Sequence, residues 1–380
     1  MTEELSRTSA LASRHTALGS GLEDWNGMGT AWNYSTDPND EHDAVRERAG
    51  MFDMSPLKKV FVRGKDAQAV LDHLTTRDLS KLAPGKSTYL CVLTEAGGIA
   101  DDAIVSNNGG AEWMIVHGSG DTMALLQASA EGHDVWLEFT DDLHDVSVQG
   151  PAALEILNAH CDIDLAGLGY FEHAPAALFG HPCRISRTGY SGERGYEIFA
   201  SAAVITDIWD KLADVGVMPC SFTALDKVRI EAGLLFYGYD MTEEHSPWDV
   251  GLGFTVSATK GDFRGKEAVM GAKGRQKISN VCLDIDHSDM VDGGETLLLD
   301  DEEVGVVNSP CYSHRMVKSL ALAHIQPGIA TGTVAAAEKR FASDYSNRDE
   351  QPGIRPAENP DTSIIWRITS KRRDVSNKTS

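Results

Sequence analysis

Between Arg187 and Asp240 the chain gathers residue types that can do acid–base and hydrogen-bonding chemistry. Arg187-Thr-Gly-Tyr190-Ser-Gly-Glu193-Arg-Gly195-Tyr196-Glu197 opens this stretch. Its glycines predict a tight hairpin in which Gly189, Gly192 and Gly195 supply positive-φ positions. The return strand, Tyr196 to Ala200, carries one carboxylate, Glu197, between Tyr196 and Ile198. A carboxylate in that company needs donors, so Glu197 is a candidate to accept a pair of N–H bonds from a bound molecule. The same pattern fits a glutamate on the solvent face of an edge strand. A second acidic element, Asp101-Asp102, follows the Gly97-Gly98 turn. Asp101 is the candidate proton handler or charge stabiliser there; the alternative is a solvated hairpin pair.

Other chemistries lack their motifs. No G-x-G-x-x-G follows a strand, and no G-x-x-x-x-G-K-[ST], H-E-x-x-H or G-x-S-x-G occurs. The six cysteines are scattered without a C-x-x-C pair, which argues against a zinc site or a disulfide framework and suits a reducing cytoplasm. No metal site is expected. Acids, tyrosines and arginines around glycine hairpins suit a flat hydrogen-bonding heterocycle better than a phosphate. A formal charge of −23 disfavours nucleic acid as a partner. No apolar run reaches membrane-spanning length, and the N-terminus lacks the order of a signal peptide, so no membrane partner is expected.

These residues need elements to hold them. At 380 residues, two or three domains are expected. Val60-Phe-Val62-Arg-Gly64 and Val146-Ser-Val148-Gln-Gly150 form an internal echo, each an alternating strand ending at a glycine before an amphipathic helix. A hairpin follows in each half, Tyr89 to Val105 and Arg187 to Ala200. Helices are expected over Pro38–Gly50 with Asp40 as cap, Thr122–Ala130, Ala202–Val215 and Asp226–Leu235. Strand, helix, hairpin, helix, strand, used twice, predicts two ferredoxin-like halves whose return strands aim Asp101, Asp102 and Glu197 at one central cavity. Trp25 to Tyr34 reads as a loop able to line a pocket, and Gly251–Val256 as a strand. Short alternating segments from Ile278 read as a small β-barrel or sandwich. Beyond about residue 340 disorder is expected.

The blocks Asp40-Glu-His-Asp-Ala-Val-Arg46, Ala49-Gly-Met-Phe-Asp53, Gly85-Lys-Ser-Thr-Tyr89, Ala96-Gly-Gly-Ile-Ala-Asp101-Asp102, Val148-Gln-Gly-Pro151, Thr188 to Ile198 and Arg229 to Asp240 stand in one order. Together they resemble the folate-dependent aminomethyltransferase family, typified by the T-protein of the glycine cleavage system, from about Asp40 to Ile325. The resemblance implies an α+β, three-domain cloverleaf: two ferredoxin-like halves (about 56–140 and 141–255) around a central folate channel within a domain of 1–255, then a C-terminal β-barrel over 256–340. It implies tetrahydrofolate as cofactor and transfer of a one-carbon unit to it. It puts Asp101 near the reacting nitrogens and Glu197 on the 2-amino and N3 edge of the pterin. Tyr89 and Tyr190 would line the channel, and Arg229 counts with the cofactor-binding set.

Departures from the family pattern bear on the carbon donor. Ser55-Pro56 replaces the usual Ser-His, Leu225 precedes Asp226 where an arginine is usual, and Val116-His117-Gly118 replaces Val-Asn-Ser. Trp25, Trp32 and Tyr34, with His117, are the candidate substrate-binding residues, because methylated cationic donors rest on aromatic faces. Two enzymatic donors stay open: the lipoyl carrier protein of glycine cleavage, or a small N-, S- or O-methyl compound that is demethylated. A nonenzymatic folate-binding iron–sulfur assembly factor is a third reading, disfavoured because Gly85-Lys-Ser-Thr-Tyr89 lacks the cysteine of that branch.

Overall fold

Apolar alternation builds both halves of the fold in the same way. Val60 and Val62 enter one core, Val146 and Val148 another. Each pair lies on a strand leading to a left-handed glycine, Gly64 at φ +127° and Gly150 at φ +134°. A Cβ there would lie 2.4 Å from the Asp134 carbonyl oxygen or 2.6 Å from that of Arg48, so the echo marks two turns that exclude a side chain.

The computed structural model describes residues 5–285, 291–330, 332–337 and 364–369. It divides into two units, Met1–Gln276 and Lys277–Ser380, so residues 256–276 belong with the first unit rather than with the barrel. The first unit opens with α1 (Ala12–Ala17), β1 (Glu23–Trp25), β2 (Met28–Thr30), α2 (Pro38–Glu47) and β3 (Gly50–Asp53). One half follows as β4 (Lys58–Arg63), α3 (Ala67–Leu74), β5 (Lys86–Leu93), β6 (Ile99–Gly109), β7 (Glu112–His117), α4 (Thr122–Ala130) and β8 (Trp136–Thr140). The other is β9 (Leu143–Gln149), α5 (Ala153–Asn158), β10 (His173–Leu178), β11 (His181–Ser186), β12 (Gly195–Ser201), α6 (Ala202–Asp214) and β13 (Met218–Pro219). Helices α7 (Phe222–Glu231) and α8 (Lys266–Ala272) complete the unit.

Each half is thus strand, helix, a three-stranded meander, helix, strand. The sheets run β5-β6-β7-β4-β8 and β10-β11-β12-β9-β3-β13, with β3 inserted in the second. The two expected hairpins are not equivalent, since β5–β6 opens one meander and β11–β12 closes the other. Asp101 and Asp102 lie on the middle strand of their meander, whereas Glu197 lies on the last strand of its own, so the acids are not equivalent positions of the duplicated unit.

Local chemistry accounts for other differences. Asp37, not Asp40, caps α2 by accepting from the Asn39 N–H, with Pro38 at the first helical position. Helix α7 starts at Phe222 because Ser221 caps it, accepting from the Ala224 N–H, and it ends before Gly233 at φ +68°. The Trp25 region is a hairpin of β1 and β2. Residues 253–255 form a 3₁₀ turn, not a strand, with the Thr255 hydroxyl bonded to the Leu252 carbonyl. In the Arg187 loop only Gly192 has positive φ, at +78°. Gly189 and Gly195 are needed for space, since a Cβ on either would sit 2.2 Å from the Gln149 amide.

The second unit is a closed barrel of β14 (Ser279–Ile285), β15 (Thr296–Leu299), β16 (Glu302–Ser313), β17 (Lys318–Ile325), β18 (Val334–Ala337) and β19 (Ile364–Thr369), ordered β14-β17-β16-β15-β18-β19. Leu283, Ile285, Leu297, Val307 and Ile325 fill its core. Closure uses residues 364–369, inside the stretch for which disorder is expected; the rest of 341–380 lies outside the described residues. Among the described residues no helix is long and apolar enough to cross a membrane.

Candidate active site

The two sheets of the first unit turn their helix-free faces toward each other. Met114 and Val116 of β7 and Phe199 of β12 form one buried cluster there, with Phe61 of β4 against it.

Strand alternation separates Asp101 from Asp102. Ala103 and Val105 point into the core beneath α3 and α4, and Asp101 shares their side. Asp101 is fully buried and accepts from His117 Nδ1 at 3.0 Å, the Thr122 hydroxyl at 2.7 Å and the Asp102 N–H at 2.9 Å. Asp102 takes the other face, where the Tyr89 hydroxyl donates to its Oδ2 at 2.9 Å. Burial and the neighbouring Asp101 push the Asp102 carboxyl up to about 7, with Tyr89 pulling the other way. Tyr190, from the other half, faces this pair: burial, and then the Asp102 carboxylate, push the hydroxyls of both Tyr190 and Tyr89 up. The Tyr190 hydroxyl donates to the Leu235 carbonyl at 2.5 Å.

Glu197 is central in its sheet, between β9 and β11, and only 9 % exposed, which removes the edge-strand alternative. It lies opposite Ser147 and Ser186, and the Thr188 hydroxyl donates to its Oε2. Among the described residues the Thr188 hydroxyl is the donor on this carboxylate, which leaves its second oxygen open to a further partner. Burial raises its carboxyl, while Thr188 and Lys59 act in the opposite sense. Lys59 reaches in from β4 of the other half, buried, donating to the carbonyls of Met54 at 3.3 Å and Ser55 at 2.9 Å. Burial brings its ammonium down to about 8.

The other expected residues have structural partners. Arg229 is buried, donating to Asp240 at 2.5 Å and Asp226 at 2.7 Å, with its guanidinium 5.7 Å from the Phe236 ring centre. Trp25 and Trp32 pack on Phe222 at 5.1 and 5.6 Å. The Tyr34 hydroxyl lies 2.8 Å from His15 Nδ1, and His15 Nε2 lies 2.9 Å from Asp53. His117 is turned to Asp101 and is 1 % exposed. Tyr89, Tyr190 and Asp102 are therefore brought together across the halves, while Tyr34 and Arg229 are spent on buried partners and His117 gives Nδ1 to Asp101 with its buried Nε2 left unbonded. Asp102 was marked only as the neighbour of Asp101, and Thr188, Lys59 and Asp145 were not singled out by spacing. For Lys59 and Asp145 the sequence signal is a charge at an inward position of an alternating strand.

Comparison with known proteins agrees with this architecture. The GCVT N-terminal domain family matches residues 11–260, and the glycine cleavage T-protein C-terminal barrel domain family matches residues 279–345. The chain is 46% identical over 337 residues to a heme-dependent oxidative N-demethylase gamma subunit of Ectopseudomonas mendocina, covering 85% of this chain and 89% of that one. It is 35% identical to an aminomethyltransferase of Herpetosiphon aurantiacus, covering 84% and 90%. The crystal structure of aminomethyltransferase T of the Bartonella henselae glycine cleavage system superposes with a TM-score of 0.84 at 24% identity, over 96% of this chain and 97% of that one, a likeness of fold. With both of its units matched in order, the chain belongs to the glycine cleavage T-protein family of aminomethyltransferases.

Proposed function

We propose that the protein is a tetrahydrofolate-dependent one-carbon transferase, and that its carbon comes from an oxidised N-methyl amine rather than from a lipoyl carrier protein. The observation behind the cofactor is the under-used carboxylate of Glu197, buried and facing the opposite sheet. A carboxylate so placed suits the paired N–H donors on the edge of a reduced pterin. The donor assignment rests on identity: 46% to the N-demethylase gamma subunit against 35% to an aminomethyltransferase. A subunit of that name works within an assembly, so the oxidation belongs to a partner and the present chain receives the carbon.

Tetrahydrofolate, when bound, supplies the nitrogens that accept the one-carbon unit. Glu197 orients the cofactor, and Tyr89 and Tyr190 close the opposite side. Asp102 is the group that holds or moves a proton at the reacting nitrogens, since a carboxyl near 7 serves as acid and base at neutral pH. Asp101 acts through Asp102, fixing its backbone N–H and raising its carboxyl. The test is to mix the protein with tetrahydrofolate and either formaldehyde, the oxidised N-methyl carbon, or an aminomethylated lipoyl carrier. Faster formation of 5,10-methylene-tetrahydrofolate from formaldehyde supports the reading. Turnover with the carrier alone would overturn the donor, and no folate product from any source would overturn the transferase. Glu197→Ala is expected to weaken tetrahydrofolate binding by about 2 kcal/mol, roughly 30-fold.

A further inference from the structure

Beside Glu197 lies a second carboxyl. Asp145 on β9 pairs with Phe199 and Ser147 pairs with Glu197, so Asp145 and Glu197 are diagonal neighbours on one face of paired strands. Asp145 is 1 % exposed, and neither carboxylate oxygen has a hydrogen-bond partner. Its backbone is held instead: its N–H donates to the Ser55 hydroxyl at 3.2 Å and its carbonyl accepts from the Met54 N–H at 2.8 Å. The charged groups that face it are Glu197 from β12, Lys59 from β4 and Asp53 from β3. The lysine is committed to two carbonyls, and Asp53 is bonded to His15, Ser9 and the Ser55 N–H. An ionised carboxylate with no donor is not sustained in such a place.

We infer that Asp145 is a neutral carboxylic acid that sets the specificity of the Glu197 site, offering its O–H to an acceptor on the ligand edge beside the N–H donors that Glu197 takes. The ligand class is therefore a heterocycle whose edge alternates acceptor with donors, as a cyclic amide fused to an amidine does. This rests on the folate reading above and deepens it. Burial, then the field of Glu197, hold the Asp145 proton well above the ordinary carboxylate range, in keeping with the geometry. No atom is gained or lost in this recognition; the donor is the proton Asp145 already carries.

Two measurements on the full chain test it. Infrared spectroscopy of the ligand-free protein at pH 7, in an Asp102→Asn background that removes the other carboxyl near 7, is expected to show a protonated-carboxyl C=O component that the further change Asp145→Asn removes. Its persistence in that variant would overturn the assignment. Tetrahydrofolate affinity is then followed from pH 6 to 10 by fluorescence. Wild-type affinity is expected to fall as Asp145 ionises. Asp145→Asn, which still donates and cannot ionise, should bind like wild type at pH 7 and lose the alkaline fall. Asp145→Val should bind about 10-fold more weakly. An Asp145→Asn profile parallel to wild type, or Asp145→Val binding at wild-type strength, would overturn the specificity role. Absence of tetrahydrofolate binding by the wild type sinks the folate reading and the ligand assignment with it, while the infrared band still decides whether Asp145 carries a proton.

Discussion

The Tyr89 hydroxyl donates to Asp102 Oδ2 at 2.9 Å, and it is the side-chain donor on a carboxyl that Asp101 and burial push up to about 7. Tyr89→Phe removes that donor and leaves the two raising influences in place. The pH–rate limb belonging to Asp102 is expected to move up by about 1 unit, since a bond to a charged group is worth about 1.5 kcal/mol. A limb that stays where it was would detach Asp102 from the rate-determining proton transfer.

Asp102→Asn separates stability from activity. The folded carboxyl binds its proton more tightly than the unfolded one, whose ordinary value is about 4, so wild-type stability falls as pH rises between about 4 and 7. The variant loses that fall and is expected to be more stable than wild type at pH 8, by on the order of 2 kcal/mol given that part of the carboxyl meets solvent. At pH 4 the difference should vanish. Turnover should drop about 100-fold or more. Urea unfolding at the two pH values, with rates at pH 7, checks both halves.

Asp53 behaves in the opposite sense. Burial opposes its charge, but His15, Ser55 and Ser9 hold its carboxyl well below the usual range. The stability it supplies is present above about pH 4 and lost as pH falls further. His15→Phe leaves the charge without its main partner and is expected to cost about 3 kcal/mol at pH 7. The same variant should show a smaller additional loss between pH 4 and 2 than wild type, measured by urea unfolding.

Gly98 precedes the acidic strand, and a Cβ there would lie 1.8 Å from the Glu243 carbonyl oxygen. Backbone on both sides must shift, so Gly98→Ala is expected to cost about 2–3 kcal/mol and to lower activity by displacing Asp102. Gly21→Ala, with open space around it, is the control and should leave the melting temperature unchanged.

Periodicity and motif order made most of the fold legible. The echo of Val60–Gly64 in Val146–Gly150 is a real repeat, because a strand with one apolar face must stop where the next turn admits no side chain. The barrel segments were readable as alternating strands for the same reason. The chain alone also pointed to Glu197, an acid among apolar neighbours, and to Asp101 and Asp102 as a pair. Which of that pair meets the opposite sheet was not readable, since adjacent residues on a strand face opposite ways and only the packing of α3 and α4 says which side is core. Likewise Lys59 and Asp145 stand in no motif, and only the pairing of β4 and β9 turns them inward, while residues 364–369 read as tail until β14 and β18 offered edges to close. Local sequence thus determined the elements and the acids. Long-range strand pairing decided which acid is saturated, which keeps a free face, and which must carry a proton.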